Sequence, residues 1–510
     1  MKKHILTLTL LFSIAHSHAQ WKRNSSIEGG EASSILKTAT SVFALSGGSE
    51  IYQSINDGGT WAYKGTPEGL GGSFSFGSQN SLFANGANLF KYAYDGLKRS
   101  TDNGVTWNFV QVDNNSFSIG GADAFKGAVY VMIDNDFNSQ ANKIYRSTDN
   151  GNTFTLTTSI NQPDNYKIQT INNKLYALGD SNIFVSTDGT SFTTVTRNGL
   201  PAKQTDFFAF PSSYIGDGNA IYLASTTFTT TGPTSDVYKF NGSIWTKAPI
   251  GLPTGSYLIG LSFANGNLYV SAIDFVTQSL GLYKSTNGAA SWAKVNATGP
   301  KIPIANNIIS INASTIMGSF IDGIFTSTDA GASWTKKTKG YTATSHAAIA
   351  SIGNTVLTSE LSNGVLRSTD GGQTFATNNT GLPTGNSIYD QIFQAANTLY
   401  INAGDAFGGN INLYKSDNSG QNWTKTNLPS GVTNGEFIGN NGTVIFMQSY
   451  NSNLEENYTY YRSSNQGSTW EDISAAMPKN LDYDTKICGK DKAIYFRAER
   501  EIYRSPDNGN

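Results

Sequence analysis

The chain has 510 residues, a formal net charge of −2 and only 14% charged residues. This balance excludes nucleic-acid binding through an overall basic surface. The 53 glycines and the 12% of aromatic residues are typical of an all-β chain with many tight turns. Cys488 is the single cysteine and only four histidines occur, so we expect no metal site and no internal disulfide. We also expect no cofactor.

Residues 1–19 are predicted to be a secretory signal peptide. Two lysines precede a mostly apolar stretch over residues 5–15, and a small-residue cleavage pattern ends at Ala19. Cleavage after Ala19 would leave residues 20–510 as the mature chain. The apolar stretch is too short to span a bilayer. We therefore expect a secreted or periplasmic protein without a membrane span.

An eight-residue pattern, Ser-x-Asp/Asn-x-Gly-x-Thr/Ser-Trp/Phe, recurs along the mature chain, and we call each copy a box. Clear copies begin at Ser54, Ser100, Ser147, Ser327, Ser368, Ser416 and Ser463. Weaker copies end at Phe192, Trp245 and Trp292, and a further box starts at Ser505. Short apolar runs surround each box, so every repeat holds four predicted strands, A to D, with the box in the C–D turn. Four strands in roughly 40–45 residues predict a β-propeller blade.

The box residues are predicted to do structural work. Glycine takes the positive-φ position of the turn, Ser and Asp or Asn bond nearby backbone groups, and the aromatic residue opens strand D and packs into the sheet. The residues assigned to this role are Ser54, Asn56, Gly58, Trp61, Ser100, Asp102, Gly104, Trp107, Ser147, Asp149, Gly151, Phe154, Ser327, Asp329, Gly331, Trp334, Ser368, Asp370, Gly372, Phe375, Ser416, Asn418, Gly420, Trp423, Ser463, Asn465, Gly467 and Trp470.

This pattern resembles the Asp-box (BNR) repeat over nearly the whole mature chain. That repeat occurs in sialidases, in two-propeller xyloglucan-cleaving glycosidases, in the ten-bladed sortilin ectodomain and in photosystem assembly factors. The resemblance implies a β-propeller, and it implies little about function because the same propeller serves many activities.

The two ends of the chain suggest how a ring closes. Trp21 has no box before it, and the box at Ser505 has no aromatic residue after it. We therefore predict that a closing strand over residues 20–28 pairs with the last unit, residues 484–510. Counting gives about eleven four-stranded units, which we predict to form one large ring, with two smaller propellers, one nested in the sequence of the other, as the alternative.

A set of acidic residues follows predicted strand B in successive units and forms the candidate binding site. Its members are Asp134, Asp180, Asp274, Asp322, Glu360, Asp405 and Glu499. A rim of carboxylates could bind a cation, sugar hydroxyls or a basic partner. The alternative is that these residues begin turns, which aspartate does well.

Two functions remain open from the sequence. The first is a non-catalytic, monomeric binding or scaffold protein for an extracellular protein or carbohydrate. The second is a xyloglucanase-like or sialidase-like glycoside hydrolase. Such an enzyme needs two carboxyl groups about 6.5–9.5 Å apart for inversion or about 5–5.5 Å apart for retention.

Overall fold

A computed structural model describes the chain from Asn24 to Asn508 with interruptions. The described residues are 24, 26–47, 49–67, 81–93, 96–113, 119–133, 142–160, 167–179, 182–200, 213–229, 232–248, 251–253, 255–274, 277, 279–296, 298–344, 346–360, 363–383, 387–405, 411–450, 458–477, 486–490, 492–498 and 501–508. These residues form β-strands, turns and one 3-10 helix, Ser474–Ala476. No helix among them is long and apolar enough to cross a membrane.

The strands group into blades, which we number in chain order. Blade 1 comprises β1 (Ala32–Lys37), β2 (Val42–Ser46), β3 (Ile51–Ser54) and β4 (Ala62–Gly65). Blade 2 comprises β5 (Leu82–Asn85), β6 (Asn88–Ala93), β7 (Gly96–Ser100) and β8 (Asn108–Val110). Blade 3 comprises β9 (Ile119–Phe125), β10 (Ala128–Ile133), β11 (Asn142–Ser147) and β12 (Thr155–Ile160). Blade 4 comprises β13 (Lys167–Ile171), β14 (Lys174–Leu178), β15 (Ile183–Ser186) and β16 (Thr193–Val195).

The next three blades repeat the same strand order. Blade 5 comprises β17 (Ser213–Gly216), β18 (Ile221–Thr229), β19 (Gly232–Phe240) and β20 (Trp245–Lys247). Blade 6 comprises β21 (Ser256–Ala264), β22 (Asn267–Asp274), β23 (Ser279–Ser285) and β24 (Ala293–Val295). Blade 7 comprises β25 (Ala305–Ser310), β26 (Ile316–Phe320), β27 (Gly323–Ser327) and β28 (Thr335–Lys336).

The last four blades complete the described chain. Blade 8 comprises β29 (His346–Ile352), β30 (Thr355–Glu360), β31 (Gly364–Ser368) and β32 (Ala376–Thr377). Blade 9 comprises β33 (Ser387–Ala395), β34 (Thr398–Asp405), β35 (Asn412–Ser416) and β36 (Thr424–Lys425). Blade 10 comprises β37 (Glu436–Asn440), β38 (Ile445–Tyr450), β39 (Tyr458–Ser463) and β40 (Glu471–Asp472). Blade 11 comprises β41 (Lys486–Lys490), β42 (Ala493–Ala498) and β43 (Glu501–Ser505).

The predicted all-β propeller architecture is confirmed. Nine sheets have four antiparallel strands paired in chain order, and one seven-stranded sheet joins blades 10 and 11 through parallel pairing of β37 with β41. Blades 1–10 therefore have strands A, B, C and D from the inner to the outer edge, and three strands of blade 11 are described. The second strands are the most buried, as in β2 and β10, because both of their faces lie between sheets.

The box residues form hydrogen bonds within the C–D turns. In blade 2, Ser100 Oγ donates to Asp102 Oδ1 (2.8 Å) and accepts from the amide of Gly104 (2.8 Å). Thr106 donates its hydroxyl to Asp102 Oδ2 (2.6 Å). The same serine-to-acid-or-amide and glycine-to-serine bonds recur in the boxes starting at Ser54, Ser147, Ser327, Ser368, Ser416 and Ser463. Gly104 has φ +86°, which a residue with a side chain rarely adopts.

Successive blades pack through separate hydrophobic clusters. The blade 6–7 cluster contains Tyr269 from blade 6 and Phe320 and Trp334 from blade 7. A polar contact accompanies several of these interfaces, because the basic residue before one box donates to a carbonyl of the next box. Lys284 Nζ, for example, donates to the carbonyl of Ala330 (3.2 Å), and Arg367 Nε to the carbonyl of Ser419 (2.8 Å).

Blade 1 packs on blade 7, and this contact closes a ring of seven blades. Asn307 Oδ1 accepts from the amide of Ile35, and Asn307 Nδ2 donates to the carbonyl of Ile35, both at 3.1 Å. The amide of Trp61 donates to the carbonyl of Lys339 (2.8 Å). The amide of Trp334 makes the same kind of bond to the carbonyl of Thr298 on the preceding blade.

The prediction of one large ring of about eleven blades is therefore wrong. In such a ring, blade 1 would adjoin blade 11. Instead, one face of blade 1 packs on Met317 and Ile324 of blade 7, and the other packs on Leu82 and Leu89 of blade 2. Both faces are occupied, so the first seven blades are closed among themselves. Blades 8–11 form a second group with their own hydrophobic interfaces.

The predicted closing strand lies mostly outside the described residues. In the described part of that segment, Asn24 Nδ2 donates to the carbonyl of Gly372 (2.5 Å), and Glu28 Oε1 accepts from the amide of Gly340 (2.8 Å). Gly29 then pairs in parallel with Thr342. The pairing of residues 20–28 with residues 484–510 stays a prediction.

Replacing Asn307 by alanine tests the seven-blade closure. The substitution leaves the buried amide and carbonyl of Ile35 without their partner, and each unmet buried group costs roughly 1–3 kcal/mol. We expect the free energy of unfolding to fall by about 2–4 kcal/mol in urea denaturation. Asn108, which is exposed on β8, is the matched control, and its replacement by alanine should change stability by less than about 0.5 kcal/mol. Equal effects of the two substitutions would contradict the closure.

The box aspartates predict how stability depends on pH. Hydrogen bonds from Thr106 lower the pKa of Asp102 from 3.8 to about 2, and those from Ser333 lower the pKa of Asp329 from 3.8 to about 2. Because these pKa values are depressed in the folded state, the stabilisation is complete above pH 4 and is lost as the pH falls towards 2. Replacing both aspartates by asparagine should reduce the loss of stability between pH 4 and pH 2. Unfolding curves that fall in parallel for both proteins would contradict this assignment.

Candidate functional site

The structure describes three of the seven predicted site carboxylates. Asp274, Asp322 and Glu360 are all buried. Asp405 ends β34, but its side chain lies outside the described part of the molecule. Asp134, Asp180 and Glu499 are also outside the described residues, so their predicted binding role stays a prediction.

Asp274 closes the turn after the second strand of blade 6. Its Oδ1 accepts from the amide of Thr277 (3.1 Å), and its Oδ2 accepts from the Thr277 hydroxyl (2.6 Å). Both carboxylate oxygens are thus used within the loop. The arrangement fits the alternative in which an aspartate after strand B begins a turn.

Asp322 and Glu360 converge on Lys336 where blade 7 meets blade 8. Asp322 follows β26 and is 2% exposed, and Glu360 ends β30 and is 1% exposed. Lys336 ends β28, and the charges of both carboxylates act to raise its pKa. We call Lys301, Asp322, Lys336, His346 and Glu360 the blade 7–8 cluster.

Local backbone bonds fix both acids of the cluster. Asp322 Oδ2 accepts from the amide of Lys301 (2.8 Å), and Glu360 Oε2 accepts from the amide of Asn363 (2.7 Å). Asp322 Oδ1 is buried and has no hydrogen-bond partner among the described residues. Lys336 Nζ lies 3.5 Å from Asn363 Oδ1. The cluster therefore combines a fixed acceptor and an ammonium donor, which suits a polar ligand.

Burial shifts the pKa values of three residues of the cluster. Burial raises the pKa of Asp322, against the opposing effects of the Lys301 amide and the Lys336 charge. Burial also lowers the pKa of Lys336, while Asp322 and Glu360 oppose that change. His346, the one histidine outside the predicted leader, has a pKa lowered by burial. Its ring nitrogens contact the hydroxyls of Thr344 (2.8 Å) and Thr358 (3.0 Å).

A second group of titratable residues lies in the first ring and was missed by the sequence prediction. Asp123 is on β9, the innermost strand of blade 3, and accepts from the amide of Thr170 on blade 4 (2.7 Å). Burial raises the pKa of Asp123 to about 6, although hydrogen bonds and the charge of Lys167 oppose the shift. Burial and the charge of Asp123 raise the pKa of Tyr92. The one available signal was a carboxylate inside the small-residue strand Gly-Gly-Ala-Asp-Ala-Phe.

The box residues do not gather around a shared pocket within the described structure. Each serine bonds the acid or amide and the glycine of its own turn, and the aromatic residues are buried or half-buried in the sheets. Among the described residues, no group of three or more His, Cys, Asp or Glu side chains is placed to hold a metal ion.

Comparison with known proteins identifies the fold. No family model and no curated protein match the chain. An ancestral GH74 enzyme has a similar structure, with a TM-score of 0.58 and 16% identity over 96% of this chain and 76% of that one. The GH74 xyloglucanase from Xanthomonas campestris has a TM-score of 0.48 and 12% identity over 94% and 99%. YCF48 bound to a D1 peptide has a TM-score of 0.40 and 14% identity over 61% and 97%. The chain is therefore a β-propeller protein.

The buried carboxyl of Asp123 gives a test by titration. Its pKa is raised from 3.8 to about 6, so the folded protein holds this proton more tightly than the unfolded chain does. The contribution of Asp123 to the free energy of unfolding should be complete below pH 4 and fall as the pH rises to about 6. Urea denaturation at several pH values should show this fall in the wild type and not in Asp123→Asn. Two curves of the same shape would contradict the shift.

Proposed function

We propose that this chain is a secreted Asp-box β-propeller that binds an extracellular protein or carbohydrate without catalysis. The observation that carries the proposal is the fixation of Asp274 and Glu360 by their own loops. A general acid or base must exchange its proton with the substrate. Asp274 uses both oxygens within its turn, and Glu360 is buried and accepts from a backbone amide. These acids are better suited to shape loops and to accept hydrogen bonds.

The blade 7–8 cluster is the binding site that we propose. It lies where the closed seven-blade ring meets the second group of blades, with Lys336 of blade 7 next to Asn363 of blade 8. Lys336 offers an exposed ammonium donor, and Asp322 Oδ1 is a buried acceptor that has no partner among the described residues. Sugar hydroxyls and peptide amides both complement that pair, and carbohydrate is the ligand class that we would test first. Because residues 1–19 are predicted to be a signal peptide, we propose a ligand outside the cytoplasm.

A glycoside hydrolase is the second candidate, and one observation favours it. Asp322 and Glu360 both act on Lys336, and burial raises the pKa of Asp322. Glycoside hydrolysis requires a pair of carboxyl groups, one of which acts as a general acid with a raised pKa. The ancestral GH74 enzyme shares the fold at 16% identity, and its activity enters here only as a hypothesis.

A glycan-array screen of the mature chain, with a hydrolysis assay on every bound glycan, separates the two candidates. We expect binding without release of reducing sugar. Asp322→Asn should weaken binding at least tenfold because it replaces an acceptor oxygen with an amide donor. Asp57→Asn is the matched control, since Asp57 is an exposed residue of the blade 1 box that pairs with Lys37 (3.1 Å), and it should bind like the wild type.

The hydrolysis assay decides between the candidates when a glycan binds. Turnover by the wild type that Asp322→Asn and Glu360→Gln abolish would establish the hydrolase and overturn the binding proposal. If neither substitution changes binding, the ligand does not bind at the blade 7–8 cluster. The melting temperature of each variant is compared with that of the wild type. A large decrease would assign a loss of binding to misfolding.

A further inference from the structure

We propose that a neutral sugar residue binds at one end of the blade 10–11 interface, on an aromatic platform formed by Tyr450 and Tyr458. The polar side chains beside this platform are Glu436, Gln448 and Lys486, and we call the five residues the Tyr450 site. The proposal rests on the carbohydrate-binding function proposed above and adds a site apart from the blade 7–8 cluster.

Strand pairing places these side chains on one face of blade 10. Glu436 on β37 pairs with Gln448 on β38. Tyr450 lies two residues further along β38 and pairs with Tyr458 on β39. Paired residues, and residues two apart in one strand, share a face of the sheet. That face is directed towards blade 11, because Tyr458 packs on the hydrophobic cluster that joins the two blades.

Tyr450 ends its strand as an exposed aromatic residue. Residues 445–449 of β38 are buried, whereas Tyr450 is 51% exposed. Its ring contacts the Tyr458 ring edge to face, with the ring centroids 5.5 Å apart and the ring planes at 62°. The second strands of blades 6 and 8 end instead in buried acids, Asp274 and Glu360. Blade 10 therefore offers solvent a ring at the end of its second strand.

Asn434 holds the backbone of Tyr450 in place. Asn434 Oδ1 accepts from the amide of Tyr450 (3.1 Å) and from the hydroxyl of Ser449 (3.2 Å). Asn434 Nδ2 donates to the carbonyl of Tyr450 (3.4 Å). The platform is thus fixed before a ligand arrives, which reduces the conformational entropy that binding would cost.

Two opposite charges lie beside the platform. Glu436 Oε2 accepts from Gln448 Nε2 (3.0 Å), and Glu436 Oε1 accepts from Lys486 Nζ of blade 11 (3.4 Å). The side chains of Glu436 and Lys486 are 28% and 35% exposed, so a ligand can contact both. Together they provide an acceptor and a donor whose charges balance.

An exposed ring beside a balanced donor and acceptor indicates a neutral sugar. A pyranose packs the C–H bonds of one face on an aromatic ring, and the hydroxyl groups at its edge need hydrogen-bond partners. Glu436 can accept from one hydroxyl, and Lys486 can donate to a neighbouring one. An acidic sugar would approach the Glu436 carboxylate, and contact between like charges opposes binding.

Affinity electrophoresis of the mature chain tests the Tyr450 site. The gels contain hydroxyethyl cellulose, glucomannan or galactan, with polygalacturonate as the acidic comparison. We expect at least one neutral polysaccharide to retard the protein and polygalacturonate to leave its mobility unchanged. Tyr450→Ala should weaken the binding about tenfold because it removes the stacking surface. Tyr450→Phe keeps the ring and should bind like the wild type.

Tyr63→Ala is the matched control. Tyr63 on β4 is 48% exposed, and its ring contacts the Tyr52 ring with centroids 5.6 Å apart and planes at 62°, which nearly repeats the geometry at Tyr450. This variant should bind like the wild type. The melting temperatures of both alanine variants are compared with that of the wild type, so that a loss of binding is not confused with a loss of structure.

The outcomes distinguish this site from the blade 7–8 cluster. Retardation by none of the neutral polysaccharides, or equal binding by Tyr450→Ala and the wild type, would overturn the Tyr450 site. Retardation by polygalacturonate would also overturn it, since that result indicates an acidic ligand. Asp322→Asn is run in the same gels. If it alone abolishes binding, the blade 7–8 cluster stands and the Tyr450 site fails, whereas weaker binding by Tyr450→Ala alone supports the Tyr450 site.

Discussion

Packing between blades is the constraint on which the rest of this structure depends. A four-stranded sheet has two faces, and a propeller buries both by placing a blade on each side. The box serves this arrangement twice. Its hydrogen bonds hold the C–D turn in one shape, and that shape presents carbonyl groups to the basic residue of the preceding blade, as in Lys284 with Ala330. The turn and the interface are therefore one unit.

The closure of the first ring shows that two blades can pack on each other without being consecutive in the chain. Blade 7 receives blade 1 with the same tryptophan-to-carbonyl bond that joins successive blades, here from Trp61 to Lys339. Gly340 follows with φ +79°, and a methyl group built on it would be 2.2 Å from the carbonyl oxygen of Trp61. Close approach of the two backbones thus requires glycine at this step. Asn307 adds two bonds to the backbone of Ile35 across the interface.

The blade and the box could be predicted from the sequence because both are local. Ser100, Asp102 and Gly104 lie within five residues, and their spacing alone specifies the bonds that the structure contains. The number of blades per ring could not be predicted in this way. It depends on the contact of Asn307 with Ile35, which are 272 residues apart, and neither residue belongs to a repeated pattern.

The same distinction applies to the candidate sites. Asp322 and Glu360 were identified because they recur after strand B, whereas their meeting around Lys336 depends on how blade 8 follows blade 7. Asp123 does not occupy a position that holds an acidic residue in successive repeats. It resembles a structural device of other interfaces, where a polar side chain bonds the innermost strand of the next blade, as Ser271 does with the amide of Ala305 (2.8 Å). A buried carboxylate in that role has a raised pKa because burial penalises its charge.

The blade 7–8 cluster owes its position to the path of the chain between the two groups of blades. The segment before β1 and the segment after blade 7 run side by side, since Gly29 pairs with Thr342 and its amide donates to the carbonyl of Tyr341 (2.7 Å). Lys336 lies directly beside this crossing, near Gly29. Within a ring, each blade repeats the contacts of the one before it. The crossing is where that repetition stops, and there the exposed Lys336 interacts electrostatically with the buried carboxyls of Asp322 and Glu360.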